Sequence, residues 1–213
     1  MVDVKKASGP RPETLAKRRA ILAAATDVFG SKGYANGTLA EIADQVGMTH
    51  AGILHHFGSK DQLLLEVLTY RDESDVDHLD GRHIPGGAEL FRHLVRTAEL
   101  NENRAGIVQA FAVLSGESVT DGHPAQQYFI ERYDRLREDI ASAFREVCAQ
   151  RGVSEPALID SGAAAIVAVM DGLQVQWLLS PGAIELARTT RFAIEAIVSA
   201  VLDHTPAGID PSV

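Results

Sequence analysis

Apolar residues along this chain recur at helical spacing almost throughout. Ile21, Leu22, Ala25, Val28 and Phe29 share one face at a period of about 3.6 residues, and Gly33 follows where a helix C-cap is expected. A second, very short helix opens at Thr38-Leu39-Ala40-Glu41. That is a capping box, in which the Thr38 hydroxyl accepts from a frayed N–H and the Glu41 carboxylate reaches back. Ile42 and Val46 give this helix its apolar face, and Gly47 ends it. Thr49 is placed to cap a third helix of barely two turns, closed by Phe57-Gly58. Ser59-Lys60-Asp61-Gln62 is a second capping box, from which a fourth helix runs through Leu63, Leu64, Val67 and Leu68. Short helices joined by a turn containing glycine form a helix-turn-helix pattern.

From Asp72 to Gly87 the chain becomes acidic and then Gly/Pro-punctuated, an expected boundary. Four or five longer amphipathic segments follow, at roughly 88–102, 104–119, 124–151, 155–180 and 183–204. Their breaks fall at Asp121-Gly122-His123-Pro124, at Gly152 with Ser154 and Pro156, and at Ser180-Pro181-Gly182. Nothing alternates with period two for long enough to suggest a sheet, and there is no internal repeat or low-complexity tract. The expected fold is all-α, with a three-helix helix-turn-helix domain over 13–70 and a helical domain over 71–213.

Composition refines this picture. At 213 residues and 46% hydrophobic, the chain can bury a proper core as one large domain or two small ones. Its single cysteine, Cys148, excludes an internal disulfide framework and fits a reducing cytoplasm. The N-terminus carries no apolar stretch of the secretory type. The most apolar segment, Ala157 to Leu179, is interrupted by Asp160, Asp171, Gln174 and Gln176, so no membrane partner is expected. The net charge of -9 is unevenly spread. Residues 1–60 carry eight Lys or Arg against five Asp or Glu, and residues 61–213 carry 12 against 24. That gives +3 and -12, with all five lysines at or before Lys60. Such asymmetry points to a basic contact surface on an acidic body.

The stretch GMTHAGILHHFGSKDQ holds three histidines, so a metal site has to be weighed. At about 100° per residue, His50 and His55 point about 140° apart, and His56 about 120° from His50 the other way. No two share a face, whereas helical zinc pairs use i, i+4 spacing, and no Cys or HExxH partner lies near. No metal and no cofactor is expected. Ile53 and Phe57, an i, i+4 apolar pair, can anchor the helix and leave much of the rest facing outward.

Arg18 to Glu66, above all GTLAEIADQVGMTHAGILHHFGSKDQLL, resembles the DNA-binding domain of the TetR (tetracycline-repressor) family of transcriptional regulators. The family pattern reads Thr, then Ile-Ala, then Gly-Val-Ser-x-Gly-x-Leu-Tyr-x-Tyr-Phe-x-Ser-Lys. It is matched here by Thr38, Ile42-Ala43, Gly47-Met48-Thr49, Ile53, Phe57 and Ser59-Lys60. The resemblance implies a partner in double-stranded operator DNA. It implies that Thr38 caps the helix crossing the DNA backbone and that Thr49 and His50 begin the recognition helix in the major groove. His55 and Lys60 would contact phosphate. Ala51, Gly52 and Leu54 complete the expected DNA-facing set. Gly52 and Leu54 depart from the hydroxyl residue and tyrosine usual at those positions, which should weaken backbone positioning or favour apolar contact with thymine methyls. His56 takes the aromatic position before Phe57 and is expected to be packed.

The resemblance further implies that residues 71–213 bind a small-molecule effector of unknown identity and form a homodimer. Ile166 to Leu179, apolar nearly all round, would pair with Ile184 to Leu202 in a two-fold four-helix interface. Val198 and Val201 are expected on its apolar stripe. The ligand-lining candidates are Gln109, Phe111, Tyr128, Phe129, Tyr133, Met170, Gln174 and Trp177, bulky or polar-tipped groups on apolar segments. No enzyme is expected, since no nucleophile elbow, phosphate loop or flavin fingerprint is present. Two forms of control remain open: release from the operator by a ligand, or a DNA-binding protein governed by a partner or by nothing small. A cavity filled by side chains would favour the second.

Overall fold

The computed structural model describes residues 12–76, 84–153 and 155–203. Among them the chain forms α1 (Pro12–Asn36), α2 (Leu39–Gln45), α3 (His50–Phe57), α4 (Lys60–Val76), α5 (Gly87–Asn101), α6 (Ala105–Glu117), α7 (Gln126–Ala149), α8 (Pro156–Leu179) and α9 (Leu186–Asp203). The β-type pairing recorded among these residues is one isolated bridge, Pro181 to Ile184, in the turn between α8 and α9.

The first four helices bury the faces that their periodicity marks. Ile21, Ala25 and Phe29 of α1 meet Ile42 of α2, Ile53 and Phe57 of α3, and Leu63, Leu64 and Leu68 of α4 in one apolar cluster. The expected C-cap at Gly33 is a kink inside α1 instead, with φ at +74°, a left-handed value that L-residues rarely adopt. Helical turns resume after it to Asn36, and the Gly37 N–H closes them on the Gly33 carbonyl at 3.1 Å.

That cluster does not stop at the expected boundary. Phe111 and Leu114 of α6 and Phe129 of α7 belong to it, packed on α1 and α4. Gly30 of α1 lies so close to Ala110 of α6 that an added Cβ would sit 3.1 Å from its backbone. The helix α4 also continues through residues 70–71 to Val76, so the acidic segment from Asp72 begins as helix and not as linker. The later part of that segment, 77–83, lies outside the described residues.

A second cluster joins α5, α7, α8 and α9, with Phe91 and Phe144 rings 4.8 Å apart at its centre. Val201 is 2% exposed there and Val198 packs against the same cluster, so the stripe expected at an interface faces the chain's own core. The outward face is a different one. Val175 and Leu179 of α8 and Phe192 of α9 are exposed, Phe192 to 72%. By length and composition α8 could cross a membrane, but it packs against α7 and α9 along one side.

Candidate nucleic-acid interface and effector cavity

The end of the molecule formed by α2 and α3 is built from local hydrogen bonds. The Glu41 N–H donates to Thr38 Oγ1 at 3.2 Å, and the Thr38 N–H donates to Glu41 Oε2 at 3.1 Å. Lys32 pairs with the same carboxylate, and its hydrogen bond, then those from Thr38, hold Glu41 down to about 2. The turn that follows returns the Met48 N–H to the Ala43 carbonyl at 2.9 Å, with Gly47 at φ +63°. Thr49 Oγ1 then accepts from the Gly52 N–H at 3.1 Å and caps α3.

Ile53 and Phe57 point inward, so the opposite face of α3 is left outside. Thr38, Thr49, His50, Ala51 and His55 are exposed, and Gly52 is half-buried. Leu54 is also half-buried and packs on the first cluster, which leaves it less free than its neighbours to meet a base. His56 is half-buried, its ring 6.3 Å from that of Phe57. Its carbonyl accepts from Arg18 Nη1 at 2.7 Å. The Arg18 guanidinium lies 4.3 Å over the Phe57 ring and also pairs with Glu66, so one side chain of α1 fixes α3 against α4. The sequence pattern does not single out Arg18, because its partners are 38 and 48 residues away.

Lys60 is not simply an extended surface cation. Its Nζ lies 4.4 Å over the Tyr34 ring and 3.4 Å from the Ala35 carbonyl, and burial lowers its pKa. An ammonium has three donors, so this anchoring still leaves one for another acceptor.

Between α5, α7 and α8 lies a cavity of about 320 Å³. Leu90, Leu94, Leu136, Ile140, Val167 and Met170 make its apolar wall. Its polar groups include Arg132, Asp171 and Gln174, together with Arg71 and Asp72 from α4. Asp72 is the junction: it accepts from Arg132, from the Tyr128 hydroxyl and from Arg71. Both guanidiniums lie over Phe111, Arg71 at 4.3 Å and Arg132 at 5.1 Å. Burial first, and then the Asp72 charge, raise the Tyr128 pKa. At the other side, the Tyr133 hydroxyl bridges Asp171 at 2.7 Å and Ser115 at 2.9 Å.

Of the expected ligand-lining residues, the structure places Met170 and Gln174 on this cavity. Phe111 and Phe129 are buried in the first cluster, and Tyr128 and Tyr133 pack against it. Gln109 is exposed on α6, and Trp177, half-buried on α8, is not among the cavity-lining residues. The aromatics carry the first core, while the cavity wall is mostly aliphatic. Arg71, Asp72 and Arg132 escape the sequence pattern, since charges on helices ordinarily mark solvent. Asp171, one of two acids in the mostly apolar stretch Ala157–Leu179, is a lining charge with a visible signal.

A capped two-helix end joined to a helical body is the architecture of a helix-turn-helix regulator. The comparisons name the family. The profile of bacterial regulatory proteins of the tetR family matches residues 21–67, and that of the BetI-type transcriptional repressor C-terminal domain matches residues 88–205. The chain belongs to the TetR family and is a DNA-binding transcriptional repressor. It is 24% identical to the HTH-type transcriptional regulator AcrR of Shigella flexneri, over 85% of this chain and 87% of that one. To BetI 1 of Chromohalobacter salexigens it is 26% identical, over 89% and 94%. In fold it matches a transcriptional regulator of Pseudomonas aeruginosa PAO1, with a TM-score of 0.71, 20% identity and coverage of 91% and 93%. A regulator of Saccharomonospora viridis solved in complex with choline matches with a TM-score of 0.67, 24% identity and coverage of 87% and 96%.

Proposed function

We propose that this repressor works as a homodimer that holds two operator half-sites and lets go when a small ligand enters the α5–α7–α8 cavity. The observation that carries this is the place of α4. The helix begins with Lys60 beside the DNA-facing end and reaches the cavity wall with Arg71 and Asp72. A ligand that disturbs the Asp72 junction acts directly on the helix that supports the recognition helix. The open volume of about 320 Å³ falls in the range of ligand sites, which argues for a ligand over control without one. The wall suits the apolar part of an amphipathic molecule. The lining charges balance, Asp72, Asp139 and Asp171 against Arg71, Arg132 and Arg135. The lean toward a cationic or neutral head therefore rests on the acidic composition of residues 61–213 and on a structural neighbour solved with choline.

We assign DNA contact to Thr38, Thr49, His50, Ala51, Gly52, His55 and Lys60, with Leu54 contributing only its outer edge. Residues 13–70 then form the DNA-binding part and 71–213 the effector and dimerisation part, joined by α4. The dimer is proposed through the open face of α8 and α9, where Val175, Leu179 and Phe192 stand exposed. Two recognition helices about 34–36 Å apart would enter successive major grooves. Operators recovered from genomic fragments give the DNA probe. Cationic and neutral amphiphiles are then titrated onto the protein with and without operator. Linkage requires a releasing ligand to bind more weakly to the DNA complex, by the same factor that it weakens DNA. Equal ligand affinity in both states would overturn the proposal.

A further inference from the structure

The kink of α1 is held from the body of the protein. Glu117, the last residue of α6, presents its carboxylate to Gly33 and Tyr34, and Oε2 accepts the Tyr34 N–H at 2.8 Å. The positive φ selects glycine at the kink, and a Cβ there would fall 2.0 Å from Glu117 Oε1 and push the carboxylate away. The carboxylate also does α6 itself no good, because a negative charge in the last turn of a helix opposes the helix dipole. Two independent features, a glycine with φ at +74° and an acid at the unfavourable end of its helix, thus meet at one hydrogen bond.

The gripped residue is a corner of the DNA-binding part. Lys60 lies over the Tyr34 ring and the Tyr34 hydroxyl bonds to Asp61, so Tyr34 ties the end of α1 to the start of α4. On its other side the Tyr34 ring meets His123 edge-on, with centroids 5.3 Å apart. His123 Nε2 lies 3.8 Å from Glu117 Oε2, and its Nδ1 accepts the Ala125 N–H at 3.2 Å just ahead of α7. The close packing of α1 on α6 at Gly30 and Ala110 sets the distance between the two helices but bonds no polar group at the kink. The charge-assisted hydrogen bond from the Tyr34 N–H adds a directional restraint at that point.

We propose that Glu117 is a positioning residue, a latch from the effector body that fixes the angle of each DNA-binding part and thereby the half-site spacing the repressor accepts. This rests on the dimeric reading above. The test uses the full chain, the half-site recovered by wild-type selection, and paired sites whose spacing varies by single base pairs. Glu117→Asp keeps the charge but draws the carboxylate back by about 1.5 Å, one carbon–carbon bond. Glu117→Gln keeps an acceptor of the same reach. The Asp variant is expected to lose about tenfold in discrimination between the best spacing and its neighbours, as loss of one hydrogen bond implies. Its preference within each half-site should stay as in the wild type, and the Gln variant should keep the wild-type spacing. In hydrogen exchange, the Tyr34 amide should open faster in the Asp variant alone. An Asp variant with wild-type spacing discrimination and wild-type Tyr34 exchange would overturn the latch. Failure of the dimeric reading is told apart, because the wild type would then recover single half-sites only.

Discussion

Phe192 offers the sharpest test of the proposed meeting of two copies through α8 and α9. It is 72% exposed in the single chain, and a phenylalanine has about 150–250 Å² to bury. Covering what remains removes on the order of 130 Å² from water, about 3 kcal/mol per copy at ~25 cal/mol per Å². A two-fold axis counts the residue twice, so replacing it forfeits about 6 kcal/mol of association, roughly four decades in the dimer Kd. In Phe192→Glu the added charge is also desolvated without a partner, which adds to the loss. Within one chain the same change touches only a surface position, where substitutions stay within about 0.5 kcal/mol. Sedimentation equilibrium at micromolar concentration reads the outcome. Wild type is expected at twice the 22.9 kDa chain mass, and Phe192→Glu at the chain mass with unchanged helical circular dichroism. A Phe192→Glu protein that stays at the doubled mass would refute the α8–α9 interface. Val201→Glu is the contrasting control: at 2% exposure it should unfold the chain instead of splitting the dimer.

The remaining expectations follow from single contacts. Asp72→Asn removes the charge shared by Arg71, Arg132 and Tyr128. Breaking a buried pair costs about 3–5 kcal/mol, and with 27% exposure at Asp72 about half of that is expected, a Tm fall of about 4–8 °C. A double-mutant cycle with Arg132→Met should show strong coupling, and additive losses would count against the junction. Lys60→Met should lower the salt slope of operator binding by about one unit, whereas an unchanged slope would confine its ammonium to Tyr34 and Ala35. Glu41 is a depressed carboxylate, so its contribution is present above its ordinary value of 4.5 and lost as pH falls toward about 2. Urea melts of wild type and Glu41→Gln should therefore converge across that window, and a constant difference would contradict the capping role.

What could be read from the residues alone was what is local. Thr38 and Glu41 are three residues apart, and so are Thr49 and Gly52, so their caps are written in adjacent letters. The breaks at Gly152 and at Pro181-Gly182 placed the later helices closely, as in Pro156–Leu179 against an expected 155–180. The misplaced elements are those that depend on which helix faces which. Phe111, Tyr128 and Phe129 have the chemistry of pocket residues, but α6 and α7 turn them onto α1 and α4. The α9 helix is apolar on two sides, and periodicity does not say that Val201 faces the core while Phe192 faces out. Asp72 and Arg132 are 60 residues apart, and Tyr34 and Glu117 are 83 apart. Nothing short-range announces either pair.

The apolar cluster that runs from α1 to α4 on into Phe111, Leu114 and Phe129 bears on how such a repressor can be re-engineered. A chimera cut at residue 70, carrying the operator specificity of this chain onto another sensor, would leave Phe29 and Leu68 against a foreign surface. Its reader would fold only as well as the new α6 filled that gap. A graft that brings the inward side chains of α6 with it should keep both specificity and ligand response. The natural unit of exchange is therefore a core and not a stretch of sequence, and regulators whose α1–α6 seams match in shape should recombine where those with matching helix lengths alone do not.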